Sequence, residues 1–87
     1  MLGKEHPSTL TSMNNLAAVL SGQGKYEQAG EMHGQELRLS ETILGKEHPH
    51  TLTSMSNLAN VLRDQGKYEQ AKEMYRQVLR LRGDRAG

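Results

Sequence analysis

The side chains of this 87-residue chain that could do chemistry are four histidines, three tyrosines and ten carboxylates, with no cysteine. Without cysteine there is no thiol nucleophile, no disulfide scaffold and no Cys-ligated zinc site. His48 and His50, two residues apart, could together touch a metal. His48, however, belongs to a His-Pro pair that also occurs at His6-Pro7, where it suits a helix start. No carboxylate stands at ligand spacing in a fixed element, so no metal and no cofactor are expected. Serine, threonine and glutamate are plentiful, but no Ser–His–acid set or carboxylate pair falls in a catalytic frame. The expectation is a non-enzyme.

Charge narrows the partners further. The formal net charge is +1, which gives no global reason to expect nucleic acid or an anionic membrane. Lys72, Arg76 and Arg80 make a basic stripe at i, i+4 spacing, but no aromatics interleave it for base stacking, and it reads as a solvated face. Arg82-Gly83-Asp84 spells an adhesion tripeptide and is taken as a chance match. No run of 18 apolar residues exists, so no membrane span is expected. The start, Met1 to Pro7, lacks the basic-then-apolar pattern of a signal peptide, and a cytoplasmic location is expected.

The elements that must position these residues come in two copies. Residues 2–39 align without a gap on residues 44–81 at an offset of 42, and nine of the 38 pairs differ. A period between 20 and 50 residues marks a solenoid, in which thin units stack on their neighbours. In each unit the first helix opens at the His-Pro and carries Leu10, Met13, Leu16, Ala17 and Leu20 on one predicted face. It stops at Gly22-Gln23-Gly24. A second helix runs from near Lys25 to Leu44, carrying Tyr26, Ala29, Met32 and Leu37, and ends at Gly45. The second copy predicts helices over about Pro49–Asp64 and Tyr68–Arg82, with a turn at Gln65-Gly66-Lys67 and a polar tail from Gly83 to Gly87. The predicted fold is all-α, a single domain over 1–87: four antiparallel helices forming two helix-turn-helix repeats, about 2–43 and 44–85.

The strings LGKEHPxTLTSM, NLAxVL and QGKYEQA resemble the tetratricopeptide repeat, in its 42-residue kinesin-light-chain-like form. Units of this kind also occur in long arrays attached to signalling NTPases of fungi and bacteria. The matching positions are Met13, Leu16-Ala17, Leu20, Ala29 and His33, and then Met55, Leu58-Ala59, Leu62, Ala71 and Tyr75. The resemblance implies an α-α superhelix and a scaffold that binds an extended peptide on the concave face of its first helices. Carried over position by position, that face is Thr11, Asn14, Asn15, Ala18, Ser21 and Gly22 in the first copy. In the second it is Thr53, Ser56, Asn57, Asn60, Arg63 and Asp64. Asn15 and Asn57 fall where the family commonly holds peptide backbone; an amide offers both donor and acceptor. Asn60 and Arg63 would add selectivity.

Within the first helices the copies differ at 8/50, 14/56, 18/60, 21/63 and 22/64, and the last four pairs form one stripe. A ligand-reading stripe or drift on a solvated face would both look so. In the second helices, Gly30, Gly34 and Glu36 stand against Lys72, Arg76 and Val78, and His33 replaces Tyr75 as a packing residue. Two interior glycines cost about 1 kcal/mol each relative to alanine. Either that helix is a weak spot or Glu36 meets a polar partner. Residues 1–43 carry three basic against five acidic side chains, and residues 44–87 eight against five, so the halves hold −2 and +3. Arrays of this kind usually hold three or more units. Opposite charge and uncapped apolar ends, expected at Leu10/Met13 and Val78/Leu79/Leu81, make a homo-oligomer the alternative to a peptide-binding module.

Overall fold

A computed structural model of the chain describes residues 7–83. They form four helices, α1 (Pro7–Gly22), α2 (Tyr26–Leu44), α3 (Pro49–Asp64) and α4 (Tyr68–Gly83), and no strand occurs among the described residues. These bounds follow the hydrophobic periodicity closely, with α4 ending at Gly83 rather than Arg82. The polar tail from Asp84 onward and the opening segment before Pro7 lie outside the described residues, as does part of the Arg82-Gly83-Asp84 string.

The stops and starts have local causes. After α1, Gly24 takes φ +81°, which lets Lys25 N–H reach Leu20 C=O at 2.9 Å and Gly24 N–H reach Ser21 C=O at 3.0 Å. After α3, Gly66 at φ +83° repeats the arrangement, with Lys67 N–H on Leu62 C=O at 2.8 Å. Both satisfy carbonyls that a helix end leaves without intrahelical partners. At the start of α3, His48 Nδ1 accepts from His50 N–H at 3.0 Å with Pro49 in the first position, so this histidine is a helix cap.

Each helix packs on the next in chain order, α1 on α2, α2 on α3 and α3 on α4. Ala17, Ala29, Ala59 and Ala71 are buried at the contacts, where their small side chains let the helices approach closely. Leu37, Leu52, Met55 and Val78 form the central cluster, flanked by Leu58, Met74 and Leu81. Each fully buried aliphatic side chain contributes about 2 kcal/mol, so a core without Phe or Trp suffices. α2 is covered on both sides, by α1 and by α3.

Three apolar positions depart from expectation. Leu16, read as part of the α1 core face, is exposed, because the side it faces, which α2 covers at its counterpart Leu58, has no preceding helix among the described residues. Leu10 and Val78, expected at open ends, are buried by their own repeats. The large apolar side chains left exposed are instead Leu16 and Val19 on α1, Tyr26 at the start of α2, and Tyr68 and Leu79 on α4.

Candidate functional site

α1 and α3 are first helices of their repeats, and their Asn14 and Asn57 meet across the junction. Asn57 Nδ2 donates to Asn14 Oδ1 at 3.1 Å. Beside this pair lies a cavity of about 210 Å³ lined by Asn14, Ala18, Ser21, His33, Asn57, Asn60 and Val61. Five of the twelve residues expected on the peptide-binding face, Asn14, Ala18, Ser21, Asn57 and Asn60, therefore converge. Thr11, Asn15, Thr53 and Arg63 are exposed and do not line the cavity, and Ser56 is half-buried. Asn57 has its neighbour Asn14 as partner, whereas Asn15, its counterpart in the first repeat, projects from the surface. Arg63 lies with its Nε 3.7 Å from the Asp64 carboxylate.

His33 is the residue that sequence reasoning assigned to packing alone. It is buried, with 4% of its surface exposed, yet it also lines the cavity, and its Nδ1 has no hydrogen-bond partner. Desolvation holds its pKa below the ordinary histidine value, against a smaller raising effect of the nearby Glu36 carboxylate. In the second repeat the equivalent Tyr75 hydroxyl donates to Asn60 Oδ1. The first repeat has His33 and Ala18 at those two positions and cannot make that bond. The signal available in the sequence was that positions 18/60 and 33/75 change together.

A second polar cluster ties the repeats to each other. Glu36 on α2 is fully buried, and its Oε2 lies 2.7 Å from Nε2 of His50 on α3, while its Oε1 has no partner. Ser40 and Thr51, both buried, share a hydroxyl hydrogen bond of 2.7 Å. At the far end, Gln65 Nε2 donates to the Tyr26 carbonyl at 2.8 Å, passing close over Gly30. The polar partner of Glu36 is thus His50, the other histidine of the His48-x-His50 string. No group of three or more potential metal ligands occurs among the described residues.

Two larger clefts, each of about 500 Å³, run between α1 and α2 and between α3 and α4. Gln35 and Arg38 line one, and Gln77 and Arg80 line the other at equivalent positions. Both are features of the repeat itself, without convergent polar groups particular to either copy. No helix among the described residues is long and apolar enough to cross a membrane.

Residues 8–84 match the model of the tetratricopeptide repeat. No curated protein matches the chain. Among solved structures it is similar to the nearly identical TPR-like repeats assigned to a kinesin light chain of Podosopora anserina. A singly substituted form of those repeats is 30% identical with a TM-score of 0.84, covering 98% of this chain and 40% of that one. A second structure of the same repeats is 31% identical with a TM-score of 0.83, covering 95% and 39%. The chain spans about two fifths of the length of those chains.

Proposed function

The chain belongs to the tetratricopeptide-repeat family, whose fold serves protein–protein interaction and scaffolding, and on that premise we propose that it is a non-catalytic module binding an extended peptide across α1 and α3. The observation that carries this reading is the convergence of Asn14, Asn57 and Asn60 beside one cavity on the face shared by those helices. Carboxamides suit a peptide backbone because each has donors and an acceptor. The neighbouring exposed residues Thr11, Asn15, Thr53 and Arg63, with half-buried Ser56, extend the surface along which such a segment would lie. An intracellular setting belongs to the same proposal.

The test uses peptides selected from a random library displayed against the intact chain. Asn15→Ala combined with Asn57→Ala should abolish their binding while helicity by circular dichroism stays unchanged. Full binding by the double variant would place the site elsewhere.

Self-association is a second reading, favoured by a specific difference between equivalent positions. Val61 and Leu37 are buried where α3 packs on α2, whereas their counterparts Val19 and Leu79 are 56% and 66% exposed. Apolar side chains at positions that the internal junction covers suit α1 of one molecule packing on α4 of another. The −2 and +3 halves match in the same sense. Such head-to-tail stacking does not close on itself, so mass in sedimentation should rise with concentration, and Leu79→Glu should suppress the rise. A constant monomer mass would remove this reading.

A further inference from the structure

We infer that the cavity beside Ala18 is a subsite for one neutral carboxamide, the side chain of an asparagine or glutamine in the bound segment. The inference rests on the peptide-binding reading and names the chemistry that one part of that surface selects.

The cavity has its origin in the differences between the repeats. Where the second repeat joins its helices through Tyr75 and Asn60, the first has an imidazole and a methyl group. The imidazole is shorter than a phenol, and a methyl offers no acceptor. The substitutions leave space on the α1 side of the junction and a buried imidazole nitrogen without a partner.

The polarity of the lining selects the ligand. Amides, a hydroxyl and an imidazole that burial disposes to be neutral surround the cavity, and no Lys, Arg, Asp or Glu contributes. A carboxylate or ammonium entering it would give up part of its hydration without meeting an opposite charge. An aliphatic group would leave the lining amides and the Ser21 hydroxyl without a partner. A carboxamide presents both donor and acceptor to them. The Asn57–Asn14 hydrogen bond fixes the orientation of both lining amides before any ligand arrives, which lowers the cost of ordering them on binding. A volume equal to that of about seven liquid waters admits the group with its methylene.

The test is nitrogen NMR of the histidine rings in the intact chain, titrated separately with acetamide and with acetate at pH 7.5. Acetamide should move the His33 ring signals saturably in the millimolar range, and acetate should bind at least tenfold more weakly. His33→Tyr combined with Ala18→Asn restores the pair found in the second repeat; acetamide binding, followed then at the Asn57 side-chain amide, should be lost. If that variant fails to fold, Ala18→Leu on the exposed rim serves the same purpose. Absence of a saturable His33 response to acetamide, equal response to acetate, or acetamide binding unchanged in a folded variant would overturn the subsite. The failures are distinguishable. Library peptides that bind while acetamide leaves His33 unmoved would retain the surface and reject the subsite. Acetamide binding without any peptide binder would retain the subsite and reject the surface.

Discussion

The two repeats share 29 of 38 aligned residues, so their differences form a natural experiment on one scaffold. Seven of the nine differing pairs contribute a residue to one of two places. Asn14, Ala18, Ser21, His33 and Asn60 surround the cavity between α1 and α3. Glu36, His50 and Gly30 lie at the packing of α2 on α3. Unselected drift on a solvated stripe would spare buried positions, yet His33 and Glu36 are both buried. One set of substitutions makes the first repeat hollow and polar on its shared face. The other gives the junction between repeats a buried Glu36–His50 contact that the same packing of a second copy would lack, because Val78 and Ser8 stand at the equivalent positions.

The largest effect should come from breaking that junction. His50→Ala leaves the Glu36 carboxyl buried with neither oxygen paired, and should cost about 3 kcal/mol of unfolding free energy. Installing the counterpart residues on both sides, Glu36→Val with His50→Ser, removes the buried acid altogether and should be neutral or stabilising by about 1 kcal/mol. Denaturant midpoints of the two variants decide the matter. If the double variant is as damaged as His50→Ala, the pair is contributing stability beyond satisfying its own burial.

The hydroxyl pair beside it comes next. Ser40→Ala strands the fully buried Thr51 hydroxyl, which should cost about 1–2 kcal/mol. Ser40 is Arg82 in the second repeat, exposed at the end of α4, so the comparison predicts that Arg82→Ala changes stability negligibly. A similar loss at both positions would show that the contrast between junction and open end is not energetic.

The glycines sharpen the contrast within a single helix. Gly34 has space for a Cβ, with Arg38 Nη1 at an ordinary 3.8 Å, so Gly34→Ala should stabilise by about 1 kcal/mol through helix propensity. A Cβ on Gly30 would stand 3.2 Å from Gln65 Nε2 and disturb its bond to the Tyr26 carbonyl. Gly30→Ala should therefore show little net gain. Thermal midpoints separate the two, and equal gains would mean that Gln65 gives way freely.

Most of the fold was legible in the sequence because repeat identity, helix periodicity and glycine stops are local or internal signals. Helix bounds, the Gln65-Gly66-Lys67 turn and the helix start at His48-Pro49 followed from them, whereas the capping bond of the His48 ring did not. Which side of each helix would be covered did not, since Leu16 and Leu58 are the same residue in the same local context. Leu16 is exposed only because α1 has no preceding helix to pack on among the described residues. The partner of Glu36 was hidden for a related reason. His50 lies 14 positions away, and only the packing of α2 on α3 brings the two together. At the site, the stripe at 14, 18 and 21 was visible in the sequence. The participation of His33 required knowing that α2 presents it between α1 and α3.

The smallest expected effect tests that placement by titration. Burial depresses the His33 pKa below the reference value of 6.5, and the Glu36 carboxylate, itself bonded to His50, opposes the shift. The unfolded chain therefore takes up this proton at higher pH than the folded chain does. Stability from the neutral imidazole is full above pH 6.5 and is lost as pH falls toward the folded value. A phenol at that position brings no imidazole proton uptake, the ordinary tyrosine pKa being about 10. Replacing His33 by Tyr together with Ala18 by Asn should accordingly flatten the fall in denaturant midpoint as the solution is acidified below pH 6.5. A slope unchanged by the double replacement would mean that His33 is hydrated in the folded chain, and that the hollow in the first repeat is open to water at its base.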